Sequence, residues 1–499
     1  MARRGAKPAG GRTVMSRKTL LWLGAAAAAI VLVPGGIWLA RDVRARRAWA
    51  AARPPVPDLA GWPAEFRAQV AAADARAARW PADPAALGDL GALYLANGFS
   101  AQAETCLRAV CRYDAAGARW PHLLGGLLAG NGRLADALPF FQAAVARDPR
   151  DLAGYLRMGD ILLKTNQPEE SAAAYHAALK LAPTDPYALR GLARVDIAAG
   201  RWSAARLQLE AAVRAHPDFP EAFSMLAAVY ERAGNTERAQ ESRRRAEELG
   251  RFRDVPDPWA DELWQVCFDV YRLQVVAATR IATRQLRAAQ PVLERALQLA
   301  PGDGRVERQL GDLRRDLGDL AGAREHLEKA VDLPPEEAGT YLDLIEVYKA
   351  QRDGDARSRA LDRALQRYPN DPGLHFERGV ERVAAGQLEA AVASFQTTIR
   401  LSPDRAPAYY QLALVLFRLG RHDEAGAALA SAVSHEPDYA PGLQALIHYR
   451  ITRHEAGAAA ALFAQAQRYG LNGTAFIDLA QEYERAFGQP PPASPNPAP

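Results

Sequence analysis

Eight prolines recur at multiples of 34 residues in two blocks: Pro149, Pro183 and Pro217, then Pro301, Pro335, Pro369, Pro403 and Pro437. Pro81 lies two further periods before Pro149. Self-similarity at a fixed period of this length means one supersecondary unit stacked many times, since each unit buries its apolar face only against the next. After Pro149 the marked positions are Tyr155, Met158, Gly159, Leu162, Tyr175, Ala178 and Pro183. After Pro403 they are Tyr409, Leu412, Ala413, Leu416, Gly420, Ala425, Leu429, Ala432 and Pro437. Apolar residues three and four apart share one helical face, and small residues allow two helices to cross closely. Gly91, Gly159, Gly311 and Gly379 stand at that crossing on the first helix of a pair, opposite Ala103, Ala137, Ala205, Ala239, Ala323, Ala391 and Ala425 on second helices. Turn glycines at 98, 132, 200, 234, 318, 386 and 420 suit the left-handed residue that ends a helix.

This large, large, small, large pattern followed by small, large, small resembles the tetratricopeptide repeat family. The resemblance covers most of the chain and implies an all-α, right-handed α-solenoid. Eleven helix pairs follow, starting at Pro84, Ala118, Leu152, Pro186, Pro220, Val270, Gly304, Ala338, Pro372, Ala406 and Ala440. The pair from Ala338 departs from the pattern, with Arg352 and Arg357 at positions expected to be small. The last has Leu471 in place of proline, then a capping helix at 474–488 opened by Asn472, with Gln481, Glu482, Glu484 and Arg485 on its solvated face.

The N-terminus is a different object. Residues 19–40 carry no charge and are long enough to cross a bilayer as one helix. Trp22 and Trp38 lie near its ends, and Pro34-Gly35-Gly36 is tolerated in such spans. Six basic residues precede it in 1–18 and five arginines with Asp42 follow. This bias keeps the N-terminus in the cytoplasm and puts the repeats on the periplasmic or extracytoplasmic side of an inner or plasma membrane. The arginine-rich exit favours a retained single-pass anchor over cleavage at Ala48-Trp49-Ala50. Residues 1–53 hold eleven Lys/Arg and one acidic residue, about +10. With +4 for the whole chain, about −6 is left for the rest. The basic charge therefore belongs to the anchor, and nothing supports nucleic-acid binding. The remaining organisation is a linker at 41–61, an N-terminal capping helix within 62–83 carrying Phe66, Val70 and Ala73, a first block at 84–251, an insert at 252–269, a second block at 270–473 and a Pro-rich, disordered tail at 489–499.

Chemistry-bearing motifs are missing. Cys106, Cys111 and Cys267 form no CxxC, and the nine histidines include no HExxH. Phosphate loops and a GxSxG elbow are absent as well. The expectation is a non-enzyme with no catalytic residue, metal or cofactor.

Three surfaces are candidates for partners. In the family the concave wall is lined by the first helix at its second, fifth, ninth, twelfth and thirteenth positions. Carried onto this chain, those positions give an apolar groove of Phe376, Val380, Val383, Tyr410, Leu414 and Phe417, suited to an amphipathic helix or extended peptide. They also give a basic patch of Lys164, Tyr187, Arg190 and Arg194 beside Asp160, suited to a carboxylate. The third surface is the insert FRDVPDPWADELWQVC. Asp257-Pro258 should open a helix running from Trp259 into the next repeat. It either spaces the two blocks or presents Trp259, Trp264 and Tyr271 as a docking ridge. The resulting expectation is a membrane-tethered scaffold binding a protein or peptide, in cell-envelope assembly. The alternative is an accessory subunit positioning an enzyme of polysaccharide export or synthesis, or of a respiratory complex.

Overall fold

The computed structural model describes residues 38–79, 83–250, 254–471 and 473–491, and all its regular structure is helical. Residues 19–37 of the expected span and 492–499 of the expected tail lie outside the described residues. Among those described, no helix is long and apolar enough to cross a membrane.

Eleven helix pairs occur among the described residues, each from a 34-residue unit. Their first helices begin at Pro84, Arg119, Leu152, Pro186, Pro220, Val270, Gly304, Ala338, Pro372, Ala406 and Ala440. Asp-Pro pairs explain several of these starts. Asp83, Asp185 and Asp371 accept hydrogen bonds from backbone N–H groups of the first turn, and the proline after each sits at N1. The turn between the helices uses one left-handed residue at the same register throughout. Gly386 (φ 73°) and Gly420 (φ 76°) are typical. Asn166, Arg284, Arg352 and His454 take the same conformation at φ 55–61° without being glycine.

Close helix crossing follows from the small residues. A Cβ on Gly159 would come within 2.7 Å of the Tyr175 ring, and one on Gly379 within 2.5 Å of Phe395. Two pairs break this rule. Ile345 and Ile447 occupy the position held elsewhere by glycine or alanine, and both are fully buried. The helices of these two pairs approach each other less closely than those of the other pairs. At the second small position, Arg357 reaches Glu377 of the following pair at 3.3 Å with both side chains mostly buried.

The chain divides into two compact units, Met1–Leu299 and Ala300–Pro499. The pair Val270–Leu299, which the register groups with the second block, therefore belongs to the first unit. In that unit, Phe66, Val70 and Ala73 of helix Ala64–Ala77 are buried against the first pair. The segment expected to be a linker is in part a helix at 38–51. Its Trp49 is 3% exposed, donates its indole N–H to the Ala77 carbonyl at 2.8 Å and meets the Tyr113 ring edge-on. In the second unit, helix Thr474–Phe487 covers the last pair through Phe476 and Tyr483. Gly473, rather than Asn472, is its N-cap residue, and Asn472 is outside the described residues.

Candidate functional site

The insert does not form the expected continuous helix. Residues 254–257 have no regular secondary structure, with Asp257 extended, Pro258–Asp261 make one helical turn, and Glu262–Val266 tighten into a 3-10 turn. Cys267 is then extended, and Asp269 caps the next helix afresh. The regular helix fails because successive residues of the insert engage different repeats.

These contacts run backwards along the stack, over the wall made by the first helices. Asp254 receives two hydrogen bonds from Arg157 of the third pair, at 2.9 and 3.0 Å. Asp257 lies 2.8 Å from Nε2 of His122 on the second pair, and the Trp259 ring stands edge-on to that imidazole at 4.9 Å. At the first pair, Asn97 donates to the Val266 carbonyl at 2.9 Å and accepts from the Phe268 N–H at 2.6 Å. The Phe268 ring reaches Phe66.

His122 is the centre of this arrangement. It is 1% exposed, and its Nδ1 lies 2.7 Å from Asp151. Burial alone would lower its pKa, but hydrogen bonds and charge from Asp151 and Asp257 outweigh that and raise it to about 9. Burial would raise the Asp257 pKa, and the facing imidazolium overrides this and holds it below the usual carboxylate value. Each aspartate also caps a helix: Asp151 accepts from the Gly154 N–H and Asp257 from that of Ala260. The unit is thus pinned by an Asp–His⁺–Asp bridge in which each carboxylate uses both oxygens.

Beneath the insert a cavity of about 540 Å³ remains, lined by Leu127, Ile161, Lys164, Leu263, Trp264 and Leu273 among others. Of the expected basic patch, only Lys164 lines it, beside Asp160. Arg194 is tied to Asp160 at 2.6 Å, Arg190 stacks over the rings of Tyr187 and Phe219, and Tyr187 itself is 7% exposed. Nor do the insert aromatics form one exposed ridge. Trp259 packs on the wall, Trp264 lines the cavity, and only Tyr271 stands out, 72% exposed.

In the second unit, Phe376, Val380, Val383, Tyr410 and Phe417 are half-buried against the core, and Leu414 is exposed. Phe376 meets Phe395 and carries the Arg405 guanidinium over its ring at 4.8 Å. Tyr410 meets Tyr439, and Phe417 meets Tyr449. The residues on adjoining first helices therefore lie between core and solvent.

The cysteines are unpaired, and Cys106 and Cys267 are buried. Burial pushes the Cys106 thiol up to about 12, which suits a core residue and not a nucleophile. His122 and Asn97 were missed by motif reading because neither belongs to a motif. A signal existed for His122: it stands at the fifth position of its repeat, counted from Ala118, where no other repeat has a histidine.

Two sequence profiles described as tetratricopeptide repeat match the chain. One matches residues 128–194 and 166–229, and the other 89–151, 279–338, 308–372 and 376–441. Cellulose synthase operon protein C of Xanthomonas axonopodis pv. citri is 28% identical over 325 residues, 63% of this chain and 20% of that protein. Human protein O-mannosyl-transferase TMTC1 is 25% identical over 191 residues, 37% of this chain and 21% of that protein. The chain thus spans about a fifth of the length of these relatives. Among solved structures, yeast Tom70 aligns over 81% of this chain and 95% of its own, at 15% identity and a TM-score of 0.35. YrrB, described as a TPR protein with an unusual peptide-binding site, aligns over 36% of this chain and 92% of its own, at 21% identity and a TM-score of 0.30. From its repeat register, its helix pairs and these profile matches, the chain belongs to the tetratricopeptide repeat family.

Proposed function

We propose that the chain is a membrane-tethered scaffold that binds a partner protein through the first-helix wall of its second unit, in cell-envelope assembly. The observation that carries this is the row Phe376, Val380, Val383, Tyr410, Leu414 and Phe417, whose apolar surface the core only partly covers. Arg405, over the Phe376 ring, and the exposed Arg418, next after Phe417 in the chain, make no ion pair among the described residues, so the fitting occupant is an amphipathic segment carrying acidic residues. The tether is the uncharged stretch 19–40 with its arginine-rich flanks, N-terminus inside and repeats outside. A repeat surface of this kind does its work by holding, and the fold is typically non-catalytic.

A second reading, a dedicated subunit that positions a polysaccharide-synthesising enzyme, is favoured by one observation. Two of the similar proteins are cellulose synthase operon C products, the second from Komagataeibacter xylinus at 27% identity over 56% of this chain.

The test is in-cell crosslinking and pull-down with the native chain and a Phe376→Ala, Tyr410→Ala, Phe417→Ala variant. Loss of one dominant partner from a variant that keeps its helical circular dichroism supports the groove. An unchanged partner list sinks it. A single stoichiometric enzyme among the lost partners selects the second reading, and a mixed set of clients selects the first.

A further inference from the structure

The wall of the first unit already carries a seated peptide, and that peptide is the chain's own insert. Residues 254–268 cross the first helices of three pairs in the order third, second, first, with a polar or aromatic anchor landing on each. This is how an extended ligand is read by a repeat groove: each repeat supplies one or two side chains to the residue above it. Two of the wall side chains involved, Asn97 and His122, are buried polar groups that hydrogen-bond the insert, and the third, Arg157, is partly exposed. Asn97, 3% exposed, gives both ends of its amide to the insert backbone. His122 gives one ring nitrogen to Asp257, and Arg157 gives both terminal nitrogens to Asp254.

The insert lies over the wall and does not fill it. Asp254, Pro256, Pro258, Ala260, Asp261, Glu262 and Gln265 remain exposed, and the cavity below stays open. A segment acting only as core would close that space, since protein interiors leave few voids larger than a water molecule.

We propose that the first-helix wall of pairs one to three is a binding site for acidic, tryptophan-bearing peptides, and that residues 254–268 occupy it in cis as a tethered ligand. The wall sets the ligand chemistry. Arg157 and the imidazolium of His122 take carboxylates three residues apart, the His122 ring edge takes an aromatic two residues further on, and Asn97 takes a backbone carbonyl and N–H. This inference is independent of the second unit's groove. Failure of one leaves the other standing.

The experiment uses the full chain and a fluorescent synthetic peptide of residues 254–268. The native protein should bind it weakly, because the tethered copy competes at an effective concentration on the order of millimolar. An Asp254→Asn, Asp257→Asn, Trp259→Ala variant, which weakens the cis ligand, should bind it about tenfold more tightly or better. Adding Asn97→Ala to that variant should remove the gain. A folded variant that binds no better than the native chain, or that binds a scrambled peptide equally well, overturns the proposal. Should the triple variant lose helical circular dichroism, Asp254→Asn alone serves, read by hydrogen exchange. Faster exchange confined to 254–268 supports a strap over a complete wall. Equal loss of protection through pairs one to three overturns it, since the insert would then be core.

Discussion

His122 and Asp257 are 135 residues apart in the chain, and their facing atoms are 2.8 Å apart. Asp151 lies 2.7 Å from the other nitrogen, Nδ1, of the same ring. His122→Ala would leave both buried carboxylates without their cationic partner, each keeping only its backbone N–H donor. Breaking a buried charge pair by removing one partner costs about 3–5 kcal/mol. Urea unfolding of the first unit's transition should show a loss of that order. His122→Ala with Asp257→Asn should recover part of it, because one stranded charge is then gone.

The bridge has a pH window set by the direction of its shifts. His122 is raised from its ordinary 6.5 to about 9. Its contribution is fully present below pH 6.5 and is lost as pH rises through about 9. Asp257 is shifted down, so its contribution is lost on acidification below the ordinary carboxylate range. The imidazole faces Asp151, Asp257 and the rings of Phe141 and Trp259. Thermal melts of the native chain should show the first unit's midpoint falling between pH 6.5 and pH 10. In the His122→Ala chain that component of the fall should vanish.

Gly379→Ala tests the helix crossing. Its Cβ would meet the buried Phe395 ring at 2.5 Å, and forcing an extra carbon into a packed core costs about 1–3 kcal/mol. Gly354→Ala, where a Cβ meets nothing within 4 Å, is the control. A lower melting temperature for the first and not the second is expected.

Arg284 holds a left-handed turn at φ 58° with its side chain exposed. The strain of an L side chain in that region is about 1–2 kcal/mol, partly offset by the backbone freedom glycine must lose. Arg284→Gly should therefore raise stability by about 0.5–1 kcal/mol, measured by chemical denaturation. Gly420→Arg at the equivalent turn should lower it.

The repeat register was legible because the period repeats eleven times, so one ambiguous residue such as Arg352 is outvoted by its counterparts. Ten of the eleven first helices begin where the register puts them, and the pair after Ala118 starts one residue later. The cap at Asp257 was legible too, as a local Asp-Pro signal. The insert's course was not. Its partners Arg157, His122 and Asn97 lie 97, 135 and 171 residues from Asp254, Asp257 and Phe268, and nothing periodic links such positions. The helix at 38–51 escaped notice for another reason. Its burial rests chiefly on Trp49, since its other large apolar residues, Trp38, Leu39 and Val43, are exposed.

An ordinary stack of repeats contacts only its neighbours, so it can unravel from either end one unit at a time. In the first unit, the Asn97 bonds to Val266 and Phe268 fasten the first pair to the residues leading into the sixth. That closes the row into a ring of dependencies, and its two ends cannot fray separately. Its six pairs should melt as one cooperative block, whereas the second unit, where pairs touch only their neighbours, is free to lose its terminal pairs first.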